Sequence, residues 1–262
     1  LLFDVQDIGC RIYTYATTLL YLLEACSEHG KSLWILDRPN PAGRQIEGTI
    51  LETGWESFVG ASQLIMRHGL TLGELALWYQ KHHRLSVELE VISMADYDPN
   101  QGPGYGWPQD ELCWVNPSPN ASSLNMARCF AGTVLLEGTT LSEGRGTTVP
   151  LEVVGAPDIR VNPIIATMHS LAEDWLQGAY LRPCYFEPTF HKHQGKLCEG
   201  FQIHAQHRDY QPHLFKPFRL IVLFLKALRQ HYPDYDLWRS HGYEYETRLP
   251  IDLINGGTRI RE

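Results

Sequence analysis

Carboxylate, guanidinium and amide groups gather at three places in the first half of this chain, each time where a short apolar run stops. Leu1-Leu2-Phe3 gives way to Asp4-Val5-Gln6-Asp7, Leu33–Leu36 to Asp37-Arg38-Pro39-Asn40, and Val134–Leu136 to Glu137-Gly138-Thr139. A fourth polar segment, Ser142-Glu143-Gly144-Arg145-Gly146-Thr147, places an arginine between two glycines. Carboxyl groups sharing a cleft can divide the roles of proton donor and base, and arginine can grip an anionic group in two-pronged fashion. Buried parallel strands read as short continuous hydrophobic stretches, and open α/β sheets bind ligands beyond the carboxyl ends of such strands. The three clusters are therefore expected to face one cleft. Asp, Asn, Gly and Pro are also ordinary loop residues at any strand exit, and the Gly-flanked arginine also reads as a flexible turn.

The elements that would position these groups follow from periodicity. Tyr15, Leu19, Leu22, Leu23 and Cys26 recur at helical spacing, which predicts a helix from Tyr13 to His29 stopped by Gly30. Leu33–Leu36 follows at once as a strand. Glu47 to His68 reads as an insertion. A helix begins at Thr71, whose hydroxyl can cap the backbone while Glu74 reaches back. Val87 to Ile92 alternates as a strand, and Tyr97 to Trp114 reads as a long loop. Asn116-Pro117-Ser118-Pro119-Asn120 predicts a rigid turn into a helix near Ser123 to Phe130, capped by Asn120 or Ser122. Beyond Pro157 the pattern changes to a helix around Pro163 to Gln177, strands near Tyr185 to Phe190 and Gly200 to Ala205, and an amphipathic helix from Leu214 to Gln230. The expected class is α/β, with a Rossmann-like parallel-sheet domain over 1–157 and a smaller α+β domain over 158–262. Opening directly on an apolar strand, the first domain is expected to be incomplete at its N-terminus.

Composition narrows the classes of partner. The chain has 262 residues, 44% of them hydrophobic, a formal charge of -8 and no apolar run long enough to span a bilayer. Lysines and arginines are scattered, which argues against a nucleic acid. Six cysteines include no C-x-x-C, and neither His191 with His193 nor His204 with His207 has a further ligand at metal spacing, so no metal is expected. No Gly-rich dinucleotide fingerprint or phosphate-binding P-loop follows a strand, and no cofactor is expected.

Several motifs carry a resemblance in order along the whole chain. They are Asp4 through Tyr15 (DVQDIGCRIYTY), Leu36-Asp37-Arg38-Pro39-Asn40-Pro41, Arg67-His68-Gly69 with Gly73-Glu74-Leu75-Ala76, Pro117-Ser118-Pro119-Asn120, and Glu137-Gly138-Thr139 with Ser142 through Thr147. Phe186-Glu187-Pro188-Thr189-Phe190, Cys198-Glu199-Gly200 and Arg248-Leu249-Pro250-Ile251-Asp252 continue the series. The sequence resembles the NamZ family of exo-acting β-N-acetylmuramidases. The resemblance implies a Rossmann-like domain joined to a smaller one. It implies release of terminal, non-reducing β-1,4-linked N-acetylmuramic acid from peptidoglycan fragments in the cleft between them. Members of that family begin with a further stretch containing a Phe-Gly-Pro-Glu-His-Gly motif whose glutamate is a candidate acid, and this sequence has no such motif.

On that resemblance Asp4, Asp7, Glu137 and Glu143 are the candidate catalytic carboxyls. The acetamido group of the sugar offers a substrate-assisted route, in which Asp7 or Glu137 would orient it. Arg11, Arg38 or Arg145 would hold the lactyl carboxylate. Asn40, Asn120 and His68 suit hydroxyls, Gln6, Tyr13 and Asp37 complete the substrate-binding set, and Trp107 or Tyr105 would stack on the sugar. The expected ligands are muramyl saccharides, and the expected location is extracytoplasmic. The alternative is a non-catalytic carbohydrate-binding fragment of such an enzyme.

Overall fold

The computed structural model describes residues 1–101, 106–108, 110–206, 208–240 and 247–262. Two hydrophobic cores organise it. The first lies under a parallel sheet of three short strands, β1 (Leu2–Phe3), β2 (Leu33–Leu36) and β5 (Leu89–Ile92), in the order β1-β2-β5. Leu2 stands opposite Trp34, and Leu33 to Leu36 run opposite Leu89 to Ile92. Helices α1 (Tyr15–His29) and α2 (Leu72–His82) both cover one face, closing Leu19, Leu23, Leu75 and Tyr79 over Phe3, Leu33 and Ile35. Each such leucine contributes roughly 2 kcal/mol through removal from water. Because successive side chains of a strand alternate, Leu2 and Trp34 point to the opposite face and stay exposed.

Local chemistry sets the helix ends. Gly30 takes the left-handed conformation that stops α1, its N–H returning to the Cys26 carbonyl. At α2 the reciprocal cap is complete: Glu74 N–H donates to the Thr71 hydroxyl, and Thr71 N–H donates to the Glu74 carboxylate. α1 begins at Tyr15, two residues later than its periodicity predicts, since Cys10 to Tyr13 is held in a turn by the Tyr13 N–H to the Cys10 carbonyl. The segment read as an insertion contains an antiparallel hairpin, β3 (Glu47–Ile50) and β4 (Ile65–Arg67).

The second core joins α3 (Leu124–Thr133), a 3₁₀ turn over Val134–Gly138, the antiparallel sheet β6-β8-β7, and helices α4 (Val161–Ala172), α5 (Pro217–His231) and α6 (Pro250–Asn255). The strands are β6 (Val153–Ala156), β7 (Tyr180–Phe186) and β8 (Cys198–His204). β6 precedes the expected boundary at 157, yet it is hydrogen-bonded to β8, with Val154 opposite Phe201.

Two buried carboxylates start helices. Glu47 accepts the N–H groups of Phe218 and Arg219 at the head of α5 (3.2 and 2.8 Å), and Glu199 accepts that of Val161 at the head of α4 (2.8 Å).

The structure corrects several expectations. Val134–Leu136 is not a strand. It continues α3 as a 3₁₀ turn, and an apolar run that short carries no periodicity to separate the two. Ser123, rather than Asn120 or Ser122, caps α3 by accepting the Met126 N–H. The strands expected near Tyr185 and Gly200 begin earlier, at Tyr180 and Cys198.

Candidate active site

The polar residues divide into two centres. The first lies beyond the carboxyl ends of β1 and β2. Gln6 ties the two strand exits together, its side-chain amide donating to the carbonyls of Asp7 (2.7 Å) and Pro39 (2.9 Å). Asp7 is buried. Its Oδ2 accepts the Gly9 N–H at 2.7 Å, while Oδ1 has no hydrogen-bond partner among the described residues. His68 is buried opposite. Its Nδ1 accepts the Leu70 N–H at 3.2 Å, which places the ring proton on Nε2, 3.7 Å from Asp7 Oδ2 and likewise without a hydrogen-bond partner among the described residues. Asn40 holds the surrounding loop, accepting from Ala42 N–H (2.9 Å) and donating to the Leu70 carbonyl (3.0 Å). A cavity of about 10 Å³ opens here between Gln6, Asp7, Arg38 and Asn40, room for one water-sized group.

Other candidates near this centre have structural partners. Asp37 accepts from the Thr71 hydroxyl and the Gly73 N–H, both at 2.8 Å, so it fastens the start of α2 to β2. Arg38 and Asp4 pair with each other at the surface. Arg11 is a correction to the cationic set. It is 2% exposed, and its guanidinium donates to the carbonyls of Thr49, Leu64, Ile254 and Asn255, joining the hairpin to α6 and leaving no face for a ligand.

Tyr13 lies on the side of the first centre, close enough to Asp7 to feel its charge. Its ring meets Tyr15 and Phe130 edge-on at 5.0 and 6.0 Å, and burial pushes its hydroxyl up to about 12 although Ser118 acts in the opposite direction. Asn120 lies half-buried in the turn that follows Ser118. Trp107 is buried, donating its ring N–H to the Leu112 carbonyl and packing edge-on to Trp114. Tyr105 and His207 lie outside the described residues.

The second centre is a chain of alternating charges. Glu137, at the end of the 3₁₀ turn, pairs with Arg145 at 2.5 Å. Arg145 Nε lies 3.5 Å from Glu143, and Glu143 Oε2 lies 2.6 Å from Lys192 Nζ. Lys192 also donates to the carbonyls of Leu136 (2.7 Å), Thr139 (3.0 Å) and Leu141 (2.7 Å). His191 Nδ1 lies 3.3 Å from Glu143 Oε1. Burial alone would raise the Glu143 carboxyl, but His191 and Lys192 outweigh it and hold the group at about 2. Glu143 is thus a fixed anion rather than a proton donor at neutral pH. Glu137, 14% exposed in its side chain, is the more accessible carboxylate of the two.

Gly144 and Gly146 admit the chain itself rather than a ligand. Both are left-handed, and a Cβ on Gly146 would sit 2.4 Å from the Phe190 carbonyl oxygen. Thr189 clasps Gly146 from the same side, its N–H and hydroxyl both reaching the Gly146 carbonyl. Neither His191 nor Lys192 was among the catalytic or substrate-binding candidates in the sequence. His191 and His193 do not converge on a metal: His191 turns to Glu143, and His193 Nε2 meets the Thr140 carbonyl.

Comparison with known proteins bears on both halves. The description "Exo-beta-N-acetylmuramidase NamZ, N-terminal" matches residues 1–125, and "Exo-beta-N-acetylmuramidase NamZ, C-terminal" matches residues 128–262. This chain belongs to the NamZ family. Among NamZ proteins, it is 39% identical over 262 residues to the peptidoglycan beta-N-acetylmuramidase NamZ of Bacillus subtilis (strain 168), covering 100% of this chain and 59% of that protein. Crystal structures of two DUF1343 family proteins from Bacteroides fragilis NCTC 9343 share the fold. One has a TM-score of 0.85 at 27% identity, with 100% of this chain aligned to 66% of that one. The other has a TM-score of 0.70 at 28% identity, with 100% of this chain aligned to 65% of that one. The chain therefore spans about three fifths of the curated NamZ relative.

Proposed function

We propose that this chain is the muramyl-binding part of a peptidoglycan glycoside hydrolase, one that acts from the chain end and releases terminal β-1,4-linked N-acetylmuramic acid. The observation that carries the reading is the 39% identity to a peptidoglycan beta-N-acetylmuramidase over all 262 residues. Two polar centres, one holding the buried Asp7 and His68 and the other the partly exposed Glu137 beside Arg145, support it. Peptidoglycan lies outside the cytoplasmic membrane, and we place the chain there.

A second reading, sugar binding without turnover, is favoured by Glu143. A carboxyl held at about 2 cannot protonate a leaving oxygen at neutral pH, and Asp4 and Asp37 are committed to partners. Incubation with a muramyl-β-1,4-glucosamine disaccharide separates the two. Free N-acetylmuramic acid in the product supports hydrolysis, binding without release supports the second reading, and neither binding nor release removes both.

A further inference from the structure

His191 is held in a conformation that its own chemistry does not favour. Its φ is +71°, and that of His193 is +58°, a left-handed backbone on either side of Lys192 without a glycine. Each such residue costs on the order of 1 kcal/mol, and it persists only where surrounding contacts over-determine it. Those contacts are present: Thr189 on the Gly146 carbonyl, Lys192 on three carbonyls of the 3₁₀ turn and the loop after it, His193 on Thr140, and the Gly195 N–H on the Pro188 carbonyl. The result is a rigid loop that lays one imidazole edge on Glu143 and leaves 39% of the His191 side chain open.

The neighbouring cations are occupied. Arg145 is paired with Glu137 and close to Glu143, and Lys192 has three carbonyls and a carboxylate around it. With Nδ1 turned to Glu143, His191 has its second nitrogen, Nε2, available for another group. A carboxylate 3.3 Å from Nδ1 orients the ring, the arrangement by which a buried acid aims a histidine toward its ligand. Among the described residues, the titratable and charged groups of this centre are Glu143, which faces His191 directly, Arg145 and Lys192 on Glu143, His193 from the same loop, and Glu137 and Arg239 beyond them.

We propose that His191 is a specificity-determining residue of this site, its Nε2–H donating to the carboxylate that distinguishes a muramyl sugar from a glucosaminyl one. The inference rests on the muramyl reading above and deepens it by naming the contact. Arg145 then organises the two glutamates, and the acidic substituent is read from the adjoining loop.

The test compares binding of N-acetylmuramic acid, its methyl ester and N-acetylglucosamine to the whole chain by calorimetry. Loss of a charge-assisted hydrogen bond weakens binding by roughly tenfold or more. The acid is expected to bind about tenfold tighter than its methyl ester or N-acetylglucosamine. His191→Asn, which tolerates positive φ, is expected to abolish the preference for the acid and leave the other two sugars unchanged. If that variant does not fold, ring-nitrogen NMR of the wild type decides. The His191 Nε2 resonance moves on adding the acid but not the ester if the contact exists, and stays in place if it does not. Equal binding of the three by the wild type, or a preference for the acid that survives in His191→Asn, overturns this inference alone. Failure of the wild type to bind any of the three overturns the muramyl reading and the inference with it.

Discussion

Replacing Lys192 by methionine should unfasten the second centre. The ammonium is 13% exposed, lies 2.6 Å from Glu143 and donates to three carbonyls of the segment Leu136 to Leu141. Its removal leaves a 1%-exposed carboxylate without its nearest cation, and breaking one side of a buried pair costs about 3–5 kcal/mol. The pH dependence supplies an independent magnitude. The Glu143 carboxyl is lowered from 4.5 to about 2, so its contribution is complete above about 4.5 and is lost as pH falls through about 2. That difference corresponds to roughly 3 kcal/mol, shared between His191 and Lys192. Urea unfolding followed by tryptophan fluorescence from pH 7 down to pH 2 measures both. The midpoint of Lys192→Met should fall at neutral pH without a change in slope, and its acid limb should flatten. Glu143→Gln in the same background should recover ~1–2 kcal/mol, since a neutral amide needs no cation. A loss below about 1 kcal/mol with an unaltered acid limb would refute the buried-pair account, because that is the size of a solvent-screened surface contact.

Arg11→Met should lower stability by about 2–4 kcal/mol through loss of its carbonyl contacts, measured by denaturation. Affinity for N-acetylmuramic acid in the folded fraction should be unchanged, and a selective loss of affinity would return Arg11 to the ligand. Gly146→Ala meets both a φ of +87° and the Phe190 carbonyl. It should lower stability by ~1–3 kcal/mol and speed amide exchange over Thr189 to Lys192, and unchanged exchange would separate that loop from the glycine. Asp7→Asn keeps an oxygen for the Gly9 N–H, so stability should change little. Calorimetry should show weakened sugar binding, whereas full affinity would assign Asp7 to the scaffold.

Much of the framework was legible because it is local. The alternation of apolar residues in α1, the left-handed stop at Gly30 and the cap between Thr71 and Glu74 each lie within a few positions of sequence. The strand exits of β1 and β2 could be read the same way, and Asp7, Gln6 and Asn40 do lie together. The features that escaped depend on distant partners. Arg11 has the same residue type whether it grips a carboxylate or four carbonyls from two remote segments. Asp37 looks like a site residue until Gly73 supplies its N–H. Val134–Leu136 is too short to declare its period, and the stretch from Leu136 to Leu141 is ordered by Lys192 from another loop. The triplet His191-Lys192-His193 was a local signal for that loop, but weighing its histidines only as metal ligands, and setting that aside, left its contact with Glu143 unread.

The most direct measurement is a crystal structure of the chain with N-acetylmuramic acid bound. The sugar should lie within hydrogen-bonding reach of the Glu137–Arg145 pair, with its lactyl carboxylate against His191 Nε2. Density confined to another surface, such as the groove of about 410 Å³ beside Trp107 and Trp114, would contradict the account.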